Sequence, residues 1–178
     1  MVSLLKMTAR ELSLSRLRSH SVDMSVRLAE QNSDAIVRAH WMALILAAGK
    51  DVRVTFKTHF MSEDARVFSR NSFEASPVRI EQMLDFFKEF CNLTIGGLKF
   101  FFESNQVQVG VGLPLVTRGF DELFFPPVVG GSTFCDKWRL ETDKAKVDCA
   151  VSFEFFNPLK LTNSGSENDM DGEGIEFF

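Results

Sequence analysis

The sequence predicts an α+β domain in which an antiparallel or mixed β-sheet is packed with two long helices. Three observations carry this reading. A stretch after Ser76-Pro77 keeps apolar residues at helical spacing for about seven turns, two segments near 52–60 and 146–155 alternate with period two, and Gly, Pro and Asn punctuate the short connections between such segments. At 178 residues the chain holds one domain plus terminal additions. Residues 33–160 are assigned to the domain, 1–32 to an N-terminal extension and 161–178 to an acidic C-terminal tail.

Residues 1–32 mix Leu, Ser and Arg without a clean period and suggest at most a short helix such as Thr8–Arg18. Ser33 or Asp34 caps a first helix in which Ile36, Val37, His40, Trp41, Leu44, Ile45 and Ala48 recur by threes and fours, with Gly49 as its stop. Val52, Val54, Phe56, Thr58 and Phe60 then share one side of a half-buried strand, and Arg53, Thr55, Lys57 and His59 the other. Arg66–Ser69 gives a second short strand of little apolar weight.

The long helix opens at Ser76-Pro77, where proline at the first helical position loses no needed hydrogen bond. It continues through Ile80, Met83, Leu84, Phe87, Cys91, Ile95, Leu98 and Phe102, with Gly96-Gly97 as a point of bending. After a turn at Glu103-Ser104-Asn105, Val107, Val109, Val111 and Leu113 read as a strand, and Pro114 limits further ladder pairing. Arg118–Leu123 is expected as a loop, and Pro126-Pro127 and Gly130-Gly131 mark the next connection. Trp138–Leu140 begins another strand. Val147, Cys149, Val151, Phe153 and Phe155 form the cleanest alternation of all. Residues 163–174, polar, acidic and glycine-rich, bury too little to order themselves.

Composition removes several classes of function. With 19 Phe and no Tyr, aromatic bulk serves packing, and tyrosine-based catalysis is excluded. A net charge of −4 and the lack of a basic, aromatic-studded groove speak against nucleic acid. No apolar run reaches the roughly 20 residues of a membrane span, and no secretory leader pattern stands at the N-terminus, so a cytoplasmic protein without membrane insertion is expected. Cys91, Cys135 and Cys149 lack paired spacing, and His20, His40 and His59 are scattered, so no protein-held metal is expected.

One helical stripe is polar. With Ile80 at zero, Asp85, Glu89 and Asn92 fall near roughly 140°, 180° and 120° on the wheel, opposite the core series at about −20° to 60°. Phe86, Phe90, Leu93, Gly97 and Phe101 form a further apolar stripe. The polar stripe therefore faces solvent or a partner. A solvated helix side has the same pattern, so the spacing alone assigns no chemistry.

Asp85, Glu89, Asn92 and the distant Pro114, followed on the helix by NLTIGGLK, resemble the signature of the CheC/CheX/FliY chemotaxis phosphatases. The resemblance spans roughly residues 33–157, is strongest from Pro77 to Pro114, and is nearest the CheX-like branch. The first expected helix offers Asp34, Arg38 and Trp41 at the matching offsets and so lacks the motif, which implies one active helix per protomer of a homodimer. What the resemblance implies is a phosphatase of the phospho-aspartate of a CheY-type response regulator. Asn92 would orient the attacking water and Glu89 would pair with the regulator's lysine. Asp85 and Gly96 would contact the partner, Gly96 by allowing close approach, and Pro114 would be structural. This chain would bind no cofactor, Mg²⁺ being held by the regulator. The alternative is a non-catalytic adaptor of the same fold that binds a response regulator or flagellar-switch component.

Overall fold

The computed structural model describes residues 1–21, 25–30, 39–69, 78–119 and 132–162. They form α1 (Val2–His20), β1 (Arg27–Glu30), β2 (Trp41–Ala48), β3 (Val52–Phe60), α2 (Ser62–Phe68), α3 (Ile80–Ser104), β4 (Gly110–Val111), β5 (Leu115–Arg118), β6 (Ser132–Glu141) and β7 (Lys146–Phe155). Seven strands make one antiparallel sheet in the order β1-β6-β7-β3-β2, with β4 and β5 both pairing along the outer edge of β2. The two long helices, α1 and α3, cover one face of it. The α+β class, the antiparallel sheet and the two long helices agree with the sequence.

One of those helices is not the expected one. Residues 41–48 of the first expected helix are strand β2, paired residue by residue with β3. In WMALILAA every residue is apolar, so helical spacing and strand alternation fit equally well, and long-range pairing decides against the helix propensity of Ala, Leu and Met. Trp41, Ala43, Ile45 and Ala47 are buried on the helix side. Ser33 to Val37 lie outside the described residues.

The helix that replaces it comes from the expected N-terminal extension. Leu5, Ala9 and Leu17 of α1 are fully buried and belong to the same core as α3 and the sheet. Two polar residues share their face. Arg10 sends Nε to Asp136 Oδ2 at 2.7 Å and Nη1 to Glu30 Oε1 at 2.6 Å, and Ser13 Oγ accepts from Trp138 Nε1 at 3.0 Å. Charged and hydroxyl groups at buried positions break the apolar period that would have identified the helix.

Three smaller corrections follow from the same competition between local pattern and tertiary pairing. Residues 66–68, expected as strand, belong to α2, whose Ala65 and Phe68 are buried. Of the strand expected over 107–113 only Gly110–Val111 joins the ladder, and pairing resumes beyond Pro114, where Arg118 ends β5 rather than opening a loop. β1 has no counterpart in the sequence reading. The Ser76-Pro77 opening, residues 120–131 and the acidic tail from 163 lie outside the described residues.

Candidate functional site

α3 starts from Arg79, whose N–H is met by the Gln82 side chain at 2.8 Å. It ends as the N–H groups of Gln106 and Val107 return to Glu103 and Phe102, both at 2.9 Å, with Gln106 at φ 62°. This is a Schellman closure, placed on a non-glycine residue.

The core side of α3 lies along β3. Phe87 stacks on Phe60 with ring centroids 3.8 Å apart, and Cys91 Sγ stands 3.6 Å from Thr58 Oγ1. Four residues of helix rise about 6 Å and two residues of strand about 6.6 Å, so the helix runs nearly along the strand axis. The ladder extends these levels across the sheet: Phe60, Trp41 and Arg118 share one rung, and Thr58, Ala43 and Val116 share the next on that side. Burial pushes the Cys91 thiol up to about 12 and holds Cys149 well above its ordinary range. Neither is a thiolate at neutral pH, so neither is a nucleophile.

A second flank of α3 is closed by α1, which runs antiparallel to it. The His20 ring stacks on Phe86 at 4.7 Å, and a Cβ placed on Gly97 would come within 2.8 Å of Leu12 Cδ2. Gly97 is thus a point of close approach between the two helices, which accounts for the glycine there. Burial lowers the proton affinity of His20, against an opposing pull from Glu89.

The third flank carries the residues singled out by the sequence. Glu89 is exposed, and Asn92 and Gly96 are half-buried on the same side. Among the described residues neither the Glu89 carboxylate nor the Asn92 amide has a hydrogen-bond partner. Asp85 differs: it takes Lys88 Nζ at 2.9 Å in an exposed pair, and so is already engaged within the helix. A Cβ at Gly96 would meet nothing within 4 Å. Of the core series, Phe87, Cys91 and Leu98 are buried as expected, Leu84 is half-buried, and Ile80 at the helix start is exposed.

Pro114 occupies a bulge. Val111 pairs with Ala47 and Leu115 with Leu44, so residues 112–114 span what Ile45 and Leu46 cover on β2. The extra residue leaves a position where no ladder N–H is required, and proline fits there. The next helix-side residue, Val116, shares the rung above which Cys91 sits, so the bulge lies at the level of Asn92 and Ile95. The proline and the helix stripe are thereby neighbours in the fold although they are distant in the chain.

No family model and no curated protein matches the chain. Solved structures do. A CheC-like chemotactic protein from Shewanella oneidensis matches at 16% identity and a TM-score of 0.66, over 85% of this chain and 99% of that one. The fold is that of the CheX and CheC-like chemotaxis proteins. Chemotaxis protein CheX from Vibrio vulnificus matches at 20% identity and a TM-score of 0.60, over 82% of this chain and 96% of the other. CheX in a complex with CheY, BeF3 and Mg²⁺ from Borrelia burgdorferi matches at 12% and 0.64, over 83% and 96%.

Sequence reasoning missed Trp41 and Arg118 as neighbours of this face. Arg118 lies over the Trp41 ring, 4.0 Å from its centroid. Trp41 had been placed on a helix, and no local signal links it to Arg118. Among the described residues no group of three or more His, Cys, Asp or Glu is arranged to hold a metal, and no helix is long and apolar enough to cross a membrane.

Proposed function

We propose that the chain dephosphorylates the phospho-aspartate of a CheY-type response regulator, using Asn92 to orient a water for in-line attack. The observation that carries this is that, among the described residues, Glu89 and Asn92 share one flank of α3 without a hydrogen-bond partner, in a fold shared with CheX. A structural relative bound to CheY with BeF3 and Mg²⁺ supports the choice of partner. Beryllium trifluoride has the tetrahedral shape and the charge of a phosphoryl group, so such a complex represents a phosphorylated state.

Phosphoryl transfer asks for positioning and charge stabilisation, not for a powerful nucleophile. An amide both donates and accepts, so Asn92 can hold a water by one end while its other end is fixed by the partner. Glu89, acceptor-only when ionised, suits a lysine at the regulator's phosphoryl site and would lock the helix over it. The Mg²⁺ belongs to the regulator. Asp85, tied to Lys88, is a peripheral contact, and Gly96 leaves room for the partner's backbone. The active unit is a homodimer with one such helix per protomer, and a monomer by sizing and light scattering at micromolar concentration would remove that part of the reading.

The test is phosphate loss from phosphorylated CheY-type receivers in the presence of the purified chain. Acceleration by the wild type and a roughly hundredfold slower rate for Asn92→Ala, with binding retained, is the expected result. An equally fast Asn92→Ala would overturn the mechanism. Binding without any acceleration would make the chain an adaptor.

A further inference from the structure

The other side of the Asn92 face is formed by the edge of the sheet, and it presents a cation. Arg118, exposed at the end of β5, pairs in the ladder with Trp41, whose side chain is buried on the helix side, so Arg118 also projects toward α3. Its rung is the one on which Phe87 stacks through Phe60, which puts Arg118 at the level of the α3 turn that holds Phe87.

Arg118 differs from the other arginines of the sheet. Arg27, Arg53 and Arg139 each hold a carboxylate, as does Arg10 of α1. Arg118 has no carboxylate partner among the described residues. Its planar group is instead held by the Trp41 ring, which restricts the side chain, and among the described residues its N–H groups have no acceptor. Further along the same strand edge, beyond the bulge, Leu113 is 81% exposed and Val111 37%. A restrained cation with no carboxylate partner among the described residues, on a strand edge that also exposes apolar side chains, has the make-up of an interface anchor.

We propose that Arg118 is a second anchor for the phosphorylated partner, gripping an anionic group at the rim of its Mg²⁺ and phosphoryl site while Glu89 takes a cation on the opposite side. This rests on the reading of the α3 face given above. The occupant is chosen by charge. Mg²⁺ is bound through carboxylates and phosphoryl oxygens, so the surroundings of such a site offer acceptors that fit the arginine fork. Among the described residues Arg118 pairs with no carboxylate of this chain, and Asp85 pairs with Lys88. An arginine and a glutamate on opposite borders of one face fix the partner's orientation as well as its affinity.

The experiment measures binding of the full chain to a panel of CheY-type receivers loaded with beryllium trifluoride and Mg²⁺, at low and at moderate salt. Arg118→Glu is expected to bind at least about tenfold more weakly and Arg118→Gln about threefold, with a shallower salt dependence and slower association in both. Thermal unfolding checks that the variants fold, and where Arg118→Glu lowers the Tm, Arg118→Gln decides. If the wild type binds a loaded receiver and both variants bind within twofold of it at low salt, the anchor is refuted while the α3 reading stands. If the wild type binds no receiver of the panel, the α3 reading fails and the anchor with it.

Discussion

The two flanks of α3 that do not face the sheet begin from similar spacing and end in opposite environments. Phe86 and Gly97 meet His20 and Leu12 of α1, and Phe90, Gly97 and Phe101 on this stripe are buried while Phe86 and Leu93 are half-buried. Among the described residues the side chains of Glu89 and Asn92 make no hydrogen bond, and Asp85 is held only by Lys88 of its own helix. The covered flank needs a partner whose shape matches it, and the open flank keeps polar groups whose hydrogen bonds remain unspent. A helix buried over most of its girth can still hold one exposed face rigidly, because the other two fix its rotation.

The largest expected effects lie on the closed sides. Phe87 touches Phe60, Phe68, Phe86 and Phe90, so Phe87→Ala should cost about 3–5 kcal/mol by loss of contact and creation of a cavity. Chemical denaturation with an unchanged m-value would measure it. Arg10→Ala should cost about as much, roughly 3 kcal/mol or more, because it leaves the Asp136 carboxylate buried with Lys6 alone at 3.3 Å. A loss below 1 kcal/mol would mean that α1 is not fixed to the sheet through this pair.

Glu89→Ala tests the open flank. Removing an exposed carboxylate that makes no hydrogen bond or salt bridge among the described residues should leave stability within about 0.5 kcal/mol of wild type. The same change should weaken association with the regulator by about 1.5–3 kcal/mol, if the lysine contact is desolvated in the complex. Equal loss in both measurements would make Glu89 a structural residue. Titration calorimetry against a loaded receiver, beside thermal unfolding, separates the two outcomes.

The sheet side of α3, its polar stripe and β3 and β7 were legible in the sequence because each has one strict period and one kind of neighbour. β2 was not, because a run of eight apolar residues satisfies both periods. α1 was not, because Arg10 and Ser13 occupy core positions by pairing with Asp136 and Trp138, residues over a hundred positions away. The site divides the same way. Asp85, Glu89, Asn92 and Gly96 lie on one helix, so spacing places them on one side of it, while the roles given to them come from the resemblance. Pro114 could be named in the sequence, but its bulge at the level of Asn92 depends on the register of β4 and β5 against β2. Arg118 and Trp41 meet only through that register.

The smallest expected effect is also the most direct comparison of the two flanks, since adjacent glycines face one each. Replacing a mid-helix glycine by alanine gains about 0.5–1 kcal/mol in backbone entropy where the new methyl has room. At Gly96 it has room, with no atom within 4 Å, so Gly96→Ala should raise the Tm by about 2 °C for a chain of this size. At Gly97 the methyl would meet Leu12 Cδ2 at 2.8 Å, and the displaced leucine must move between two packed helices. Gly97→Ala should therefore gain nothing or lose up to about 1 kcal/mol. The opposite order is expected in binding: on the proposed reading Gly97→Ala should leave regulator affinity unchanged, whereas the Gly96 methyl would project onto the proposed docking face and should weaken it severalfold. Two alanine variants with the same Tm shift would show that α1 does not restrict Gly97. A Gly96→Ala variant that binds a loaded receiver as well as wild type would show that the partner does not approach α3 at that turn.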